Sequence, residues 1–166
     1  EKSLLLTEPE TGNLMATFSA RGPGPVRDIV KPDVTAPGVN ILAGFTPETA
    51  NSMPDETFAY LSGTSMSTPH VAGVAALLME ARPDWGPSAV KSALMTSARQ
   101  DLVQSDGESA ANPFDYGAGH IVPNAALDPG LVYDVSDGEF DAFACGFDSP
   151  AVPQTRCDEL QNGGVS

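Results

Sequence analysis

The chain has 166 residues, enough for one domain with a core of its own. It carries 22 acidic and 8 basic side chains, a formal charge of −14, and so acidic a surface repels phosphates and argues against nucleic-acid binding. No run of about 18 apolar residues exists, so no segment reads as a membrane-spanning helix.

Residues 1–13 are polar and rich in Glu and Thr, which predicts a strand end plus a loop. "LMATFSA", Leu14–Ala20, reads as a short strand. "RGPGPVRDIVKPD" is dense in Gly and Pro and must be a loop. Within "VTAPGVNILAGF", Val39–Ala43 reads as a buried strand. Residues 46–57 form a polar loop, and "FAYLSG" is a further short strand ended by Gly63.

From Met66 to Met79 the chain is apolar nearly all round, which predicts a helix buried on every side. Gly73, Ala72, Ala75 and Ala76 would let neighbouring backbones come close. "ARPDW" ends this helix. A second helix, Pro87–Ala98, has Pro at its first turn and an apolar stripe of Val90, Ala93, Leu94 and Ala98. "QDLVQSDGESAANP" is a polar loop. A short strand at His120–Val122 and a helical turn at Asn124–Leu127 follow.

Beyond Pro129 the sequence is acidic and poorly periodic, with one helix around Glu139–Ala144. It reads as an appendage, residues 131–166, on a unit spanning 1–130. Charge is also uneven along the chain: residues 1–100 hold 10 acids and 7 bases, net −3, and residues 101–166 hold 12 acids and 1 base, net −11. A solubilising surface is the preferred reading of that acidity, ahead of cation attraction. There is no internal repeat. Strands alternating with helices imply an α/β layered fold with a parallel sheet.

Cys145 and Cys157 are the only cysteines. They could pair in an oxidising compartment or remain free thiols. No CxxC or His/Cys cluster suggests zinc. The chain opens on Glu1, shows no signal peptide and is read as part of something longer, so a missing leader says nothing about export.

The stretch that carries chemistry is "SGTSMSTPH", Ser62–His70. Ser65 falls where a strand ends and a helix begins. Unpaired N–H groups and the positive dipole end favour negative charge there, and the Ser65 N–H can face an oxyanion. Gly63 permits a close approach, and Pro69 is tolerated near the first turn. The competing reading is that Thr64 or Ser65 merely caps the helix, and local features alone favour it.

His70 cannot serve as the base. Five helical positions are about 500° of rotation, roughly 140° off the same face. His70 and His120 are read as structural, and Asp33 and Asp115 as carboxylates that fix loops. An α/β-hydrolase elbow, G-x-S-x-G, would need a second Gly, but Ser67 stands there.

"GTSMSTPHVAG", Gly63–Gly73, resembles the active-site serine signature of the subtilisin-like serine proteases. "FSARGP", "KPDVTAPGVNIL", "PDWGPSAVKSALMTSA" and "FDYGAGHIVPNAALDPGLVYD" resemble the family's flanking segments, so the likeness covers about residues 14–134. The wording is nearest to larger members with a protease-associated domain inserted upstream. "FACGFDSPAVPQTRC" loosely resembles their link towards a C-terminal β domain.

The resemblance implies part of a three-layer α/β domain whose mainly parallel sheet is flanked by helices. It implies a serine endopeptidase of polypeptides, with Ser65 as nucleophile and its N–H as one oxyanion donor. It implies no required cofactor; calcium sites occur in the family, but no acid cluster here matches one. Family members are usually exported, so a secreted, extracellular or periplasmic setting is expected.

The family's Asp and His segments and its second oxyanion donor, an Asn, belong upstream of the serine, and residues 1–62 contain none of them. In the family's namesake, a reference case rather than a property of this chain, loss of the histidine costs on the order of 10⁶ in turnover. The isolated chain is therefore expected to be inactive and to need the remainder of its catalytic domain. Its incompletely covered apolar helix should promote self-association. A non-catalytic binding or structural module, or part of a pseudoprotease, is the alternative.

Overall fold

The computed structural model describes residues 12–23, 29–46, 48, 57–147 and 151–163. Most of the expected N-terminal strand end and loop, and most of the 46–57 loop, lie outside them.

Two strands, β1 (Ile41–Gly44) and β2 (Phe58–Leu61), pair antiparallel with Leu42 opposite Tyr60 and Gly44 opposite Phe58. Six helices follow: α1 (Thr64–Ala81), α2 (Pro87–Thr96), α3 (Pro113–Tyr116), α4 (Pro123–Ala126), α5 (Asp137–Cys145) and α6 (Gln154–Asn162). The elements are those of an α/β chain. Among the described residues, however, parallel pairing is confined to two isolated bridges, Leu14 with Val103 and Thr35 with His120.

Three expected strands change character. Leu14–Ala20 is not a strand: Leu14 makes one bridge, and the chain then turns, with the Ser19 N–H donating to the Ala16 carbonyl at 3.1 Å. The Val39–Ala43 strand begins later, because Asn40 sits at φ 52° and breaks the extended run. It is not buried either, since Leu42 is 58% exposed on the hairpin's outer face. His120–Val122 is reduced to bridges in which His120 sits between Thr35 and Arg99.

The main core forms where one stripe of α1 meets α2. Leu78 is 1% exposed and clusters with Val90, Leu94, Ile121 and Ala126, with Val71, Val74 and Ala75 packed alongside. Positions 71, 74, 75 and 78 are the i, i+3, i+4, i+7 pattern of one helix face. Away from that stripe the helix is open, with Leu77 61% and Met79 52% exposed on its two flanks, so the described residues do not provide the burial on every side expected of α1. A second cluster joins Met15, Leu102 and Tyr116.

Side-chain hydroxyls fasten residues 131–135 along α2. The Val135 N–H donates to Ser88 Oγ at 2.9 Å, the Tyr133 N–H donates to Ser92 Oγ at 2.8 Å, and Thr96 Oγ1 donates to the Leu131 carbonyl at 2.9 Å. Four residues of helix rise about 6.0 Å and two of extended chain about 6.6 Å, so the two repeats keep step.

Beyond this strap, Ser136 and Glu139 form a reciprocal capping box that starts α5. A Cys145–Cys157 disulfide ties α5 to α6, a helix the sequence reading did not anticipate.

Candidate functional site

Segment 35–40 positions the start of α1. The Gly63 N–H donates to the Gly38 carbonyl at 2.8 Å, and the Asn40 N–H donates to Ser62 Oγ at 2.9 Å. Position 38 must be Gly because a Cβ there would collide with Ser67 Oγ and approach the Gly63 carbonyl at 2.9 Å. The Met66 N–H then closes the first turn on the Gly63 carbonyl at 3.0 Å.

Gly63 is therefore the N-cap, with no side-chain capping bond. The capping reading of Thr64 and Ser65 is set aside, since both lie inside the helix. Ser65 is the second helical residue and is exposed, and its hydroxyl has no hydrogen bond among the described residues. Its N–H is one of the donors that a helix start leaves without an intrahelical partner. An exposed hydroxyl and an N–H without an intrahelical partner thus occur in one residue, at the positive end of an 18-residue helix.

His70 is where the rotation argument puts it. Its Nδ1 donates to the Met66 carbonyl at 2.8 Å, one turn back on its own helix. Pro69 lies in the second turn rather than the first and deprives the Ser65 carbonyl of its usual helical donor.

His120 is also structural, with Nδ1 3.4 Å from Thr35 Oγ1. Burial, followed by the Arg99 charge and only partly opposed by Asp101, holds its pKa below the ordinary histidine value.

Both flanking carboxylates fix loops. Burial pushes the Asp33 carboxyl up, but bonds to Lys31 at 2.6 Å and Lys91 at 3.0 Å outweigh it and leave its pKa lowered. Asp115 accepts from the Asn112 N–H at 2.8 Å and pairs with Gln104 and Arg21. The Asn112 bond is the largest influence, and the carboxyl stays below its usual range despite burial. Next to it, Gly117 at φ +67° lets residues 117–118 pass against the Pro32 and Asp33 carbonyls, where any Cβ would clash.

A groove of about 1050 Å³ runs beside the start of α1, between residues 13–20 and 32–40. Thr64, Ser67, Thr68 and Val71 face it, and His120 stands on its wall, but Ser65 does not line it. On a helical wheel the centre of the groove-facing set lies about 110° from Ser65. The serine and the groove therefore occupy different sides of the same helix start. Among the described residues, no group of three or more His, Cys, Asp or Glu side chains could hold a metal ion.

The sequence reading missed the contacts that hold the serine in place. Their signal was present as Gly38 in "TAPG" and the hydroxyls at Ser62 and Ser67, residues that show their purpose only when the two segments meet.

A strand hairpin leads into a helix with one buried face, and an exposed serine stands at that helix's start, an arrangement of the α/β class. The model of the subtilase family matches residues 6–119, and the chain belongs to that family.

Three Arabidopsis thaliana relatives illustrate the likeness. Subtilisin-like protease SBT1.3 is 49% identical over 144 residues, 80% of this chain and 18% of the relative. SBT3.10 is 49% identical over 150 residues, 86% of this chain and 19% of the relative. SBT5.4 is 42% identical over 167 residues, 89% of this chain and 22% of the relative. The chain thus spans about a fifth of the length of the curated relatives it matches. Among solved structures, fervidolysin from Fervidobacterium pennivorans aligns with TM-score 0.45 at 30% identity, covering 57% of this chain and 15% of that one.

Proposed function

We propose that the protein to which this chain contributes is a serine endopeptidase, and that Ser65 is its nucleophile. The observation that carries the reading is the exposed Ser65 hydroxyl at the start of α1, within a subtilase match. Ser65 Oγ attacks the scissile carbonyl, and a histidine from outside these residues takes its proton. The carbonyl oxygen becomes the oxyanion, towards which the Ser65 N–H is directed. Collapse expels the amine, protonated by the same histidine, and leaves an acyl-enzyme that water hydrolyses.

The base, its orienting Asp and the Asn donor would come from the rest of the catalytic domain. The unit holding Ser65 extends to about residue 130, with residues 131–166 as an extension strapped to it by α2. Polypeptides are the substrates, and no cofactor is required. The disulfide supports an oxidising, exported setting. The open face of α1 supports self-association of the chain on its own.

An active-site-directed fluorophosphonate tests the reading. A longer polypeptide that includes the upstream part of the domain should be labelled at Ser65, and Ser65→Ala should abolish the label. If the longer form stays unlabelled, the alternative of a non-catalytic module or pseudoprotease takes over. The 166-residue chain alone should label at a negligible rate; rapid stoichiometric labelling would overturn its inactivity.

A further inference from the structure

We propose that the outer face of the α5–α6 hairpin is a docking surface for a segment of a partner polypeptide in which Lys or Arg accompanies apolar side chains. Phe140, Phe143 and Phe147 are 51%, 50% and 38% exposed. At i and i+3, Phe140 and Phe143 fall within about 60° of one another on the helical wheel of α5, and Phe147 lies in the turn just past its end. The Phe143 and Phe147 rings already meet edge to face, with centroids 4.8 Å apart, so the stripe is arranged in advance of any partner. The other side of α5 is taken up by α6, through the Cys145–Cys157 bond and the Arg156–Asp141 pair at 3.0 Å.

Charge selects the occupant. Asp137 is three positions before Phe140, so its carboxylate neighbours that ring, while Glu139, held by Ser136 in the capping box, adds a second negative charge at the same end of the helix. Residues 131–166 contain a single basic side chain, Arg156. It is already engaged by Asp141 at 3.0 Å and Glu159 at 3.6 Å. A second copy would set acid against acid. A segment bearing Lys or Arg instead meets uncompensated carboxylates beside aromatic faces that also attract cations. The disulfide limits how far α6 can move from α5, which lowers the ordering cost of binding.

The test uses the 166-residue chain and two amphipathic helical peptides of equal length, one of Lys and Leu, the other of Glu and Leu, followed by fluorescence anisotropy. The Lys/Leu peptide should bind, more weakly as salt rises, and the Glu/Leu peptide should not. Phe140→Ser with Phe143→Ser should weaken binding by about tenfold or more. Asp137→Asn should weaken it measurably at low salt and little at high salt. This second variant leaves the aromatic stripe intact and serves if the Phe variant misfolds. Equal binding of both peptides, or unchanged binding by a folded Phe variant, would overturn the proposal by showing diffuse attraction to an acidic chain. Dimerisation that buries Phe143, read by crosslinking, would assign the face to a second copy and overturn it as well.

Discussion

Gly38 and Ser67 touch across the start of α1 so closely that position 38 has no room for a methyl group. The contact fixes the height at which the helix begins, because the Gly38 carbonyl also holds the Gly63 N–H at 2.8 Å. Gly38→Ala should destabilise the chain by about 1–3 kcal/mol through overpacking. Ser67→Ala in the same molecule should recover part of that loss, since the hydroxyl is the nearest obstacle. Urea unfolding of both single variants and the double variant would reveal the coupling. Strictly additive effects would show that the two residues do not share the strain.

Acid should weaken the fold in two stages. The pKa of His120 is depressed in the folded chain, chiefly by burial, so its contribution is present above the unfolded value of about 6.5 and fades as pH falls below it. Asp115 is depressed as well, led by the Asn112 N–H, so its contribution is present above about 3.9 and is lost on further acidification. Urea midpoints measured from pH 7.5 to pH 3 should fall across both windows. His120→Gln should flatten the first stage, and Asp115→Asn should shrink the second, to which the likewise lowered Asp33, Asp101, Asp106 and Glu139 also contribute. A wild-type midpoint independent of pH would contradict both assignments.

Reduction of the Cys145–Cys157 bond should release α6 while leaving α1 and α2 folded. Apart from the bond, α6 is held by buried Leu160 and by Arg156, whose side chain is 43% exposed. Loss of the cross-link should cost about 2–4 kcal/mol locally. Hydrogen exchange at residues 154–163 should then speed up, with little change at residues 87–96. Equal acceleration in both helices would mean that the extension and the α1–α2 core unfold together.

Leu77 and Met79 project from α1 with more than half of their surface in solvent, at 61% and 52%. Leu77→Glu should raise the monomer fraction of the isolated chain in sedimentation runs. Its unfolding midpoint should hardly move, since substitutions at exposed sites usually stay within about 0.5 kcal/mol. Unchanged association would place the sticky surface elsewhere.

Periodicity disclosed the helices that bury a stripe. The continuous apolar run Met66–Met79 predicted α1, though not its open side, and the stripe Val90, Ala93, Leu94 and Ala98 predicted α2; His70 bonds one turn back to Met66, as the rotation argument requires. Helix α6 was invisible because "QTRCDELQN" buries only Cys157 and Leu160, too few for a repeat, and depends on a covalent tie. The strands were misjudged for a different reason. The short apolar stretches Leu14–Ala20 and Val39–Ala43 say that a segment could pair, while pairing needs a neighbour that local sequence does not supply. Asn40 at positive φ was a further break that no hydrophobic pattern announces. At the site, Ser65 stood out because its signature is contiguous. Its supports at Gly38 and Ser62 did not, because that arrangement exists only between segments.

The strap of residues 131–135 is held through its peptide groups, with Ser88, Ser92 and Thr96 as pegs. Leu131 and Tyr133, more than half exposed, are free to vary so long as the three pegs remain. The spacing also locks the register. In an extended chain the peptide groups of successive residues face opposite ways, so a shift of one residue would turn the bonding groups away from all three pegs at once.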